Sequence, residues 1–290
     1  MTFFCTALRD EYARLLAACV VTERLQALAA AKRILLLKPR YAEVSAKTGV
    51  PVLWLMVINE RESGSNLFTY LGNGQSLRRV TTEVPAGRGP FASWEAGAED
   101  ALHLDHIDAV TDWCWPHALY EGEAWNGFGP RMHGRHTGYL WAGTNVYDSG
   151  KYVADRQWDA GAFDEQLGIV PLMRALVSLD ASLDLTAAPA SAPSTIPVPV
   201  PAPLPVPQGH DGGAHGVLWL QTALNALQGA ALTIDGSYGR FTRMAVRTFQ
   251  AAHGLTADGL AGPLTIAAIE AALASASPAG APAGLILPSK

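Results

Sequence analysis

Charge is sparse in this chain of 290 residues: Asp, Glu, Lys and Arg together make up 16%. Acids outnumber bases, 26 to 21, for a net charge of −5. No basic stripe interleaved with aromatics is present, which argues against a nucleic-acid partner. Cysteine is scarce too. The three thiols, Cys5, Cys19 and Cys114, follow no metal-ligand spacing, so buried free thiols are expected, with a Cys5–Cys19 bridge as the alternative. No apolar run reaches the roughly 18 residues that a membrane span requires. The first residues, Met1 to Leu8, are followed at once by Arg9, Asp10 and Glu11, unlike the basic start and apolar run of a secretory signal. A monomer made in the cytoplasm is the expectation.

What the chain does have is strong punctuation. From Ala187 to Pro207, proline alternates with small or branched residues. Proline removes N–H donors and fixes φ, so this stretch neither continues a helix nor joins a sheet, and polyproline II is expected. At about 3.1 Å per residue it reaches on the order of 60 Å. It therefore reads as a stiff tether over 186–209, separating a head at 1–185 from a module at 210–275 and a flexible tail at 276–290. Beyond Ala187 the acids Asp211, Asp235, Asp258 and Glu270 balance Arg240, Arg243, Arg247 and Lys290, so the net acidity belongs to the head.

The module repeats itself. Asp235-Gly236-x-x-Gly239-x-x-Thr242-x-x-Ala245-Val246 recurs as Asp258-Gly259-x-x-Gly262-x-x-Thr265-x-x-Ala268-Ile269. In each copy Asp-Gly supplies a positive-φ turn and the Thr opens a helix. Leu218 to Leu227 carries apolar residues at helical spacing, and Gly254 is placed to end the helix that follows Ala245. From Gly213 to Leu273 this three-helix pattern resembles the type 1 peptidoglycan-binding module, whose recurrent motifs are L-Q-x-x-L-N, D-G-x-F-G-x-x-T and A-V-x-x-F-Q. The resemblance implies bacterial peptidoglycan as partner. Leu220, Leu224, Val246 and Phe249 read as core, since so small a domain needs every apolar helix face. Tyr238, Arg240 and Arg243 are the candidates for a ligand groove, against the plainer reading of solvated surface.

The head reads as mainly α. Arg9 to Leu35 shows an amphipathic stripe, and Val44 to Thr48 stops at Gly49. Then Val50-Pro51-Val-Leu-Trp54-Leu55-Met56-Val-Ile58-Asn59-Glu60-Arg61-Glu62-Ser63-Gly64 is apolar almost all round, as a central helix is, and ends in two carboxylates. A carboxyl at the negative pole of a buried helix is disfavoured as an anion, so a raised pKa is expected, which suits a proton donor. Glu60 and Glu62 lie about 200° apart around the helix, so both cannot face one cleft. Glu60 reads as a surface or salt-bridging residue. Gly72-Asn73-Gly74 signals a small β-hairpin directly after the helix.

Leu55-Met56-Val57-Ile58-x-x-x-Glu62-Ser63-Gly64 is similar to the catalytic helix of the lysozyme-like superfamily, lytic transglycosylases and goose-type lysozymes in particular. His117 to Gly129, with Trp125-Asn126-Gly127, resembles a second segment of the same family. Taken together with the module, the resemblance implies a modular, endolysin-like lysozyme or lytic transglycosylase. Such an enzyme, with a small β-hairpin in an α+β head, cleaves the β-1,4 bond beside N-acetylmuramic acid. Glu62 would be its general acid, Ser63 its orienting neighbour, and no cofactor would be needed. Gln75, Asn126, Tyr139 and Asn145 are the candidates for sugar contact, because amides hold hydroxyl and acetamido groups and aromatic faces stack on pyranoses. Trp125, Trp141 and Tyr147 read as core. A second carboxylate stays open among Glu83, Glu95 and Glu99. Action on the wall, in the periplasm or outside the cell, follows from the same resemblance.

Two rivals stand beside it. A zinc-dependent or other peptidoglycan peptidase needs His with Asp or Glu at ligand spacing. His103-x-x-His106 and His133-x-x-His136 have two imidazoles each but not H-E-x-x-H, so no metal site is assigned. A non-catalytic wall-binding component of a phage or secretion device is the other.

Overall fold

A computed structural model of the chain describes residues 6–83, 85–154, 157–185, 216–230, 232, 234, 238, 240–255, 257, 259 and 261–276. The expected tether at 186–209 and, apart from Ala276, the tail lie outside the described residues. The chain divides into two units, a larger N-terminal head and a smaller C-terminal module.

The head is built from α1 (Thr6–Ala18), α2 (Arg24–Leu35), α3 (Lys38–Thr48), α4 (Val52–Ser63), α5 (Trp94–Leu104), α6 (Trp115–Asn126), α7 (Gly129–Met132) and α8 (Gly138–Trp141). A ribbon of β1 (Lys151–Ala154) and β2 (Gln157–Asp159) and then α9 (Ile169–Leu179) complete it. The fold is mainly helical, as the periodicity predicts. At its centre is α4, buried without interruption from Leu53 to Asn59 and packed against α3 and α9. Pro51 precedes its first turn and Gly64, at φ 61°, closes it in the left-handed conformation. The N–H groups of Gly64 and Ser65 return to the carbonyls of Glu60 (2.9 Å) and Asn59 (3.2 Å), satisfying acceptors that a helix end otherwise leaves open.

The stripe expected over Arg9–Leu35 is two helices, not one. After Ala18 a long-range contact replaces the next helical turn. The Asn145 amide accepts from Val20 N at 2.7 Å and donates to the Ala18 carbonyl at 3.2 Å, while Thr22 N bonds to Gly143 O at 2.9 Å. Beside this break, Arg131 is buried between Glu11 (2.8 Å) and Glu123 (2.8 Å), with Tyr12 bonded to Glu123, and this network joins α1 to α6 and α7.

The hairpin is also displaced. Around Gly72–Gly74 there is a turn and an isolated bridge between Thr69 and Ser76, whereas the two-stranded antiparallel ribbon is β1–β2. Consecutive burial of Tyr70 and Leu71 explains the difference, because a ribbon with one wet face needs alternation. Tyr70 instead stacks on Phe91 with ring centroids 5.0 Å apart and donates to Asp100 at 2.8 Å. Cys19 and Cys114 are buried free thiols, and burial pushes the Cys19 thiol above its ordinary pKa; Cys5 lies outside the described residues.

The module consists of α10 (Val217–Gln228), α11 (Arg240–Ala252) and α12 (Pro263–Ala276). Leu220, Leu224, Val246, Phe249 and Ile269 form its buried core. Two amides of the recurrent motifs hold loops. Asn225 accepts from Leu232 N at 2.7 Å and donates to its carbonyl at 2.9 Å. Gln250 accepts from Gly259 N at 2.8 Å and donates to Thr265 Oγ1 at 2.9 Å, joining α11 to the second turn. Gly254 (φ 67°) and Gly259 (φ 72°) take the positive φ their places in the pattern require. Asp235, Gly236, Gly239 and Asp258 lie outside the described residues.

Candidate functional site

The two carboxylates at the end of α4 have different partners. Glu60, with its side chain 12% exposed, is ion-paired to Arg33 of α2 at 2.6 Å and accepts from Ser65 Oγ at 2.6 Å. Glu62 is exposed and faces elements from the other half of the head. Its Oε1 accepts from Tyr139 Oη at 2.7 Å and from Trp125 Nε1 at 3.1 Å. Its exposure differs from the buried setting that the sequence pattern implies for this carboxyl, although two buried rings lie against it.

Each donor is held from behind. The Trp125 ring, at the end of α6, meets Trp54 of α4 edge-on at 5.6 Å, and Trp54 Nε1 in turn donates to the Ala118 carbonyl at 3.1 Å. Tyr139 opens α8, where the Thr137 hydroxyl caps the helix by accepting from Tyr139 N at 3.2 Å. Both rings are buried while their donor atoms reach the carboxyl. Trp125 thus has both roles at once: a core ring, as expected, and a donor to Glu62, which the sequence pattern does not reveal.

Other candidates are engaged elsewhere. Ser63 Oγ turns back to the Asn59 side chain (2.9 Å) and carbonyl (3.1 Å), so it braces the helix end and does not orient Glu62. Gln75 accepts from the N–H groups of Thr82 (2.8 Å) and Glu83 (3.3 Å), which ties down its own loop. Asn145 is committed to the break after α1. Asn126 is exposed at the end of α6, next to Trp125. Of the open carboxylates, Glu95 pairs with Arg40 and Glu99 with Lys47 at 2.6 Å. Arg40 beside Glu95 holds that carboxyl down at about 2. In the module, Tyr238, Arg240 and Arg243 stay the candidates for a ligand groove, and the Arg240 side chain lies outside the described residues.

The His103 and His106 rings lie with centroids 6.5 Å apart, but among the described residues the imidazoles assemble no metal site. His103 pairs with Asp108 at 2.9 Å, and His133 stacks on Trp158 with centroids 4.2 Å apart. The helix ends at Leu104, and His106 adopts a left-handed φ of 56°, so His103 and His106 are not on successive turns of one helix. Among the described residues no three His, Cys, Asp or Glu side chains come together as a metal site, and no helix is long and apolar enough to cross a membrane.

Residues 214–269 match the family described as a putative peptidoglycan binding domain, so the C-terminal module is a peptidoglycan-binding domain. The zinc D-Ala-D-Ala carboxypeptidase of Streptomyces albus G is 47% identical over 58 residues. That similarity covers 20% of this chain and 23% of the relative, so the chain spans less than a quarter of the relative's length. No solved structure matches. The expectation of a lysozyme or lytic transglycosylase is corrected by this comparison: the relative is a peptidase.

Proposed function

We propose that the chain is a wall-processing protein made of an anchor and a working head. The module holds it on peptidoglycan, and the head acts on the held polymer through Glu62. The observation that carries the reading is the pairing of a peptidoglycan-binding domain with an exposed carboxyl whose Oε1 is bracketed by Tyr139 and Trp125. Both donors address one oxygen, and among the described residues none bonds to Oε2, which can face a ligand and exchange a proton with it. The name of the Streptomyces relative favours the peptide part of peptidoglycan as the part processed. A peptide bond breaks only when its leaving amine gains a proton, a step that a positioned carboxyl can serve. The peptidoglycan-binding domain occupies residues 214–269, so the chemistry is assigned to the head.

Zinc, which the relative's name brings in, does not fit the described side chains, because no set of three ligands converges. No step is assigned to it. A second reading, a wall binder without enzyme activity, is favoured by the peptidoglycan-binding domain itself, which needs no catalytic head to hold the chain on the wall.

Incubating sacculi with the full chain and with Glu62→Gln, followed by mass spectrometry of the stem peptides, separates these readings. Shortened or cut stem peptides with the wild type and intact ones with the variant support the proposal. Intact stem peptides in both, with the protein bound to the wall, leave the non-catalytic reading.

A further inference from the structure

Arg61 lies between the two carboxylates of α4 in sequence, yet the site described above does not use it. Its side chain is only 6% exposed. Nη2 donates to Asp164 Oδ2 at 2.9 Å, and Nη1 donates to the carbonyls of Gln166 (2.9 Å) and Leu167 (3.1 Å). The segment returns the grip: Gln166 Nε2 donates to the Arg61 carbonyl (3.0 Å), which the end of the helix would otherwise leave open, and also to the Glu60 carbonyl (3.3 Å). Asp164 is itself held, its N–H donating to Tyr147 Oη at 3.0 Å with Lys151 3.7 Å away.

The guanidinium so fixed lies over the Tyr139 ring, 4.7 Å from its centroid. Gly138, the preceding residue, packs so closely on Asp164 that an added Cβ would sit 2.7 Å from the Asp164 Cβ. Ring and carboxylate are therefore locked to one another from two sides. Stability is a poor account of this arrangement. A buried ion pair is often replaceable by apolar side chains without loss, and here Arg61 Nε is buried with no hydrogen-bond partner. What the arrangement does achieve is direction. A phenol donates in the plane of its ring, so a ring clamped under a cation aims its hydroxyl one way, and here that way is Glu62 Oε1.

We propose that Arg61, fixed by Asp164, is a positioning residue that aims the Tyr139 hydroxyl at Glu62 and so sets which oxygen of that carboxyl faces the polymer. The proposal rests on Glu62 being the working carboxyl.

The test is a double-mutant cycle in the full chain with Arg61→Gln, Tyr139→Phe and the pair together. It reads turnover on sacculi and the 13C resonance of the Glu62 carboxyl, assigned by its loss in Glu62→Gln. Each single change is expected to lower turnover about tenfold with little effect on half-saturation, and the pair to fall within about twofold of the worse single change. The Glu62 resonance should move the same way in all three. Effects that multiply, or a Glu62 resonance unmoved by Arg61→Gln in protein that melts normally, overturn the proposal. If Arg61→Gln does not fold, Arg61→Lys takes its place in the cycle, since it keeps the charge but loses the flat face over the ring. Should Glu62→Gln retain full turnover, the proposed function fails, and the resonance still decides whether Arg61 acts through Tyr139.

Discussion

Tyr139 donates its hydroxyl to Glu62 Oε1 across 2.7 Å, joining the end of the central helix to a one-turn helix 77 residues further along the chain. Trp125 meets the same oxygen from α6. A carboxyl held by two buried rings keeps its orientation while remaining open to solvent on its other oxygen, and this makes it testable apart from its neighbour Glu60.

Glu62→Gln should keep the melting temperature within a degree or so of wild type while lowering turnover on sacculi at least about a hundredfold, the usual worth of a positioned proton-transfer group. Glu60→Gln should behave in the opposite sense. It loosens the contacts to Arg33 and Ser65, costing about 1 kcal/mol of stability with turnover nearly intact. Near-wild-type turnover in Glu62→Gln would sink the assignment.

The head should lose stability in acid through Glu95. Its hydrogen bond from Arg40 holds the folded carboxyl at about 2, below the ordinary 4.5. A depressed carboxyl stabilises the fold fully above the unfolded value and stops doing so as pH falls through the folded one. Melting temperature should therefore decline between about pH 5 and 2, and Glu95→Gln should flatten that slope. An unchanged slope in the variant would remove Glu95 as its source.

Gln250→Ala should unfold the module selectively. It removes the acceptor for Gly259 N and the donor to Thr265, both buried, at a cost of about 1–3 kcal/mol. Two separate transitions in calorimetry, with only one of them shifted in the variant, are the expected result.

Activity on sacculi should survive EDTA, because no three metal-ligating side chains converge among the described residues. Loss of activity and its rescue by zinc would place the ligands outside those residues and return the zinc peptidase reading.

A fragment starting at Pro207 should pull down with insoluble peptidoglycan, and the chain without it should act more slowly on whole sacculi, since tethering raises the effective concentration of the head at the polymer. Equal rates with and without the module would mean that anchoring does not limit the reaction.

Much of this architecture is legible in the sequence, because it depends on residues a few positions apart. The apolar run ending at Gly64 makes α4 a buried helix wherever it is placed. The turns of the module follow from glycines that accept positive φ, and the opposite facing of Glu60 and Glu62 is a property of helix geometry. Other features depend on chain segments far apart. Asn145 breaks the first helical stripe in two by taking the backbone groups of Ala18 and Val20, and no local pattern announces it. Tyr70 turns inward to Asp100 and Phe91, so the ribbon forms at Lys151–Asp159 and not after α4. Ser63 and Gln75, polar and beside the site in sequence, bond within their own segments because a local backbone partner is always in reach. The bracket of Trp125 and Tyr139 on Glu62, and the clamp of Asp164 and Arg61 behind it, bring together five side chains from α4, α6, α8 and the segment before α9. Sequence by itself determined that a buried helix ends at Glu62 and Gly64; only tertiary packing decided which side chains meet that carboxyl, because a hydrogen bond requires about 3 Å in space and sets no limit along the chain.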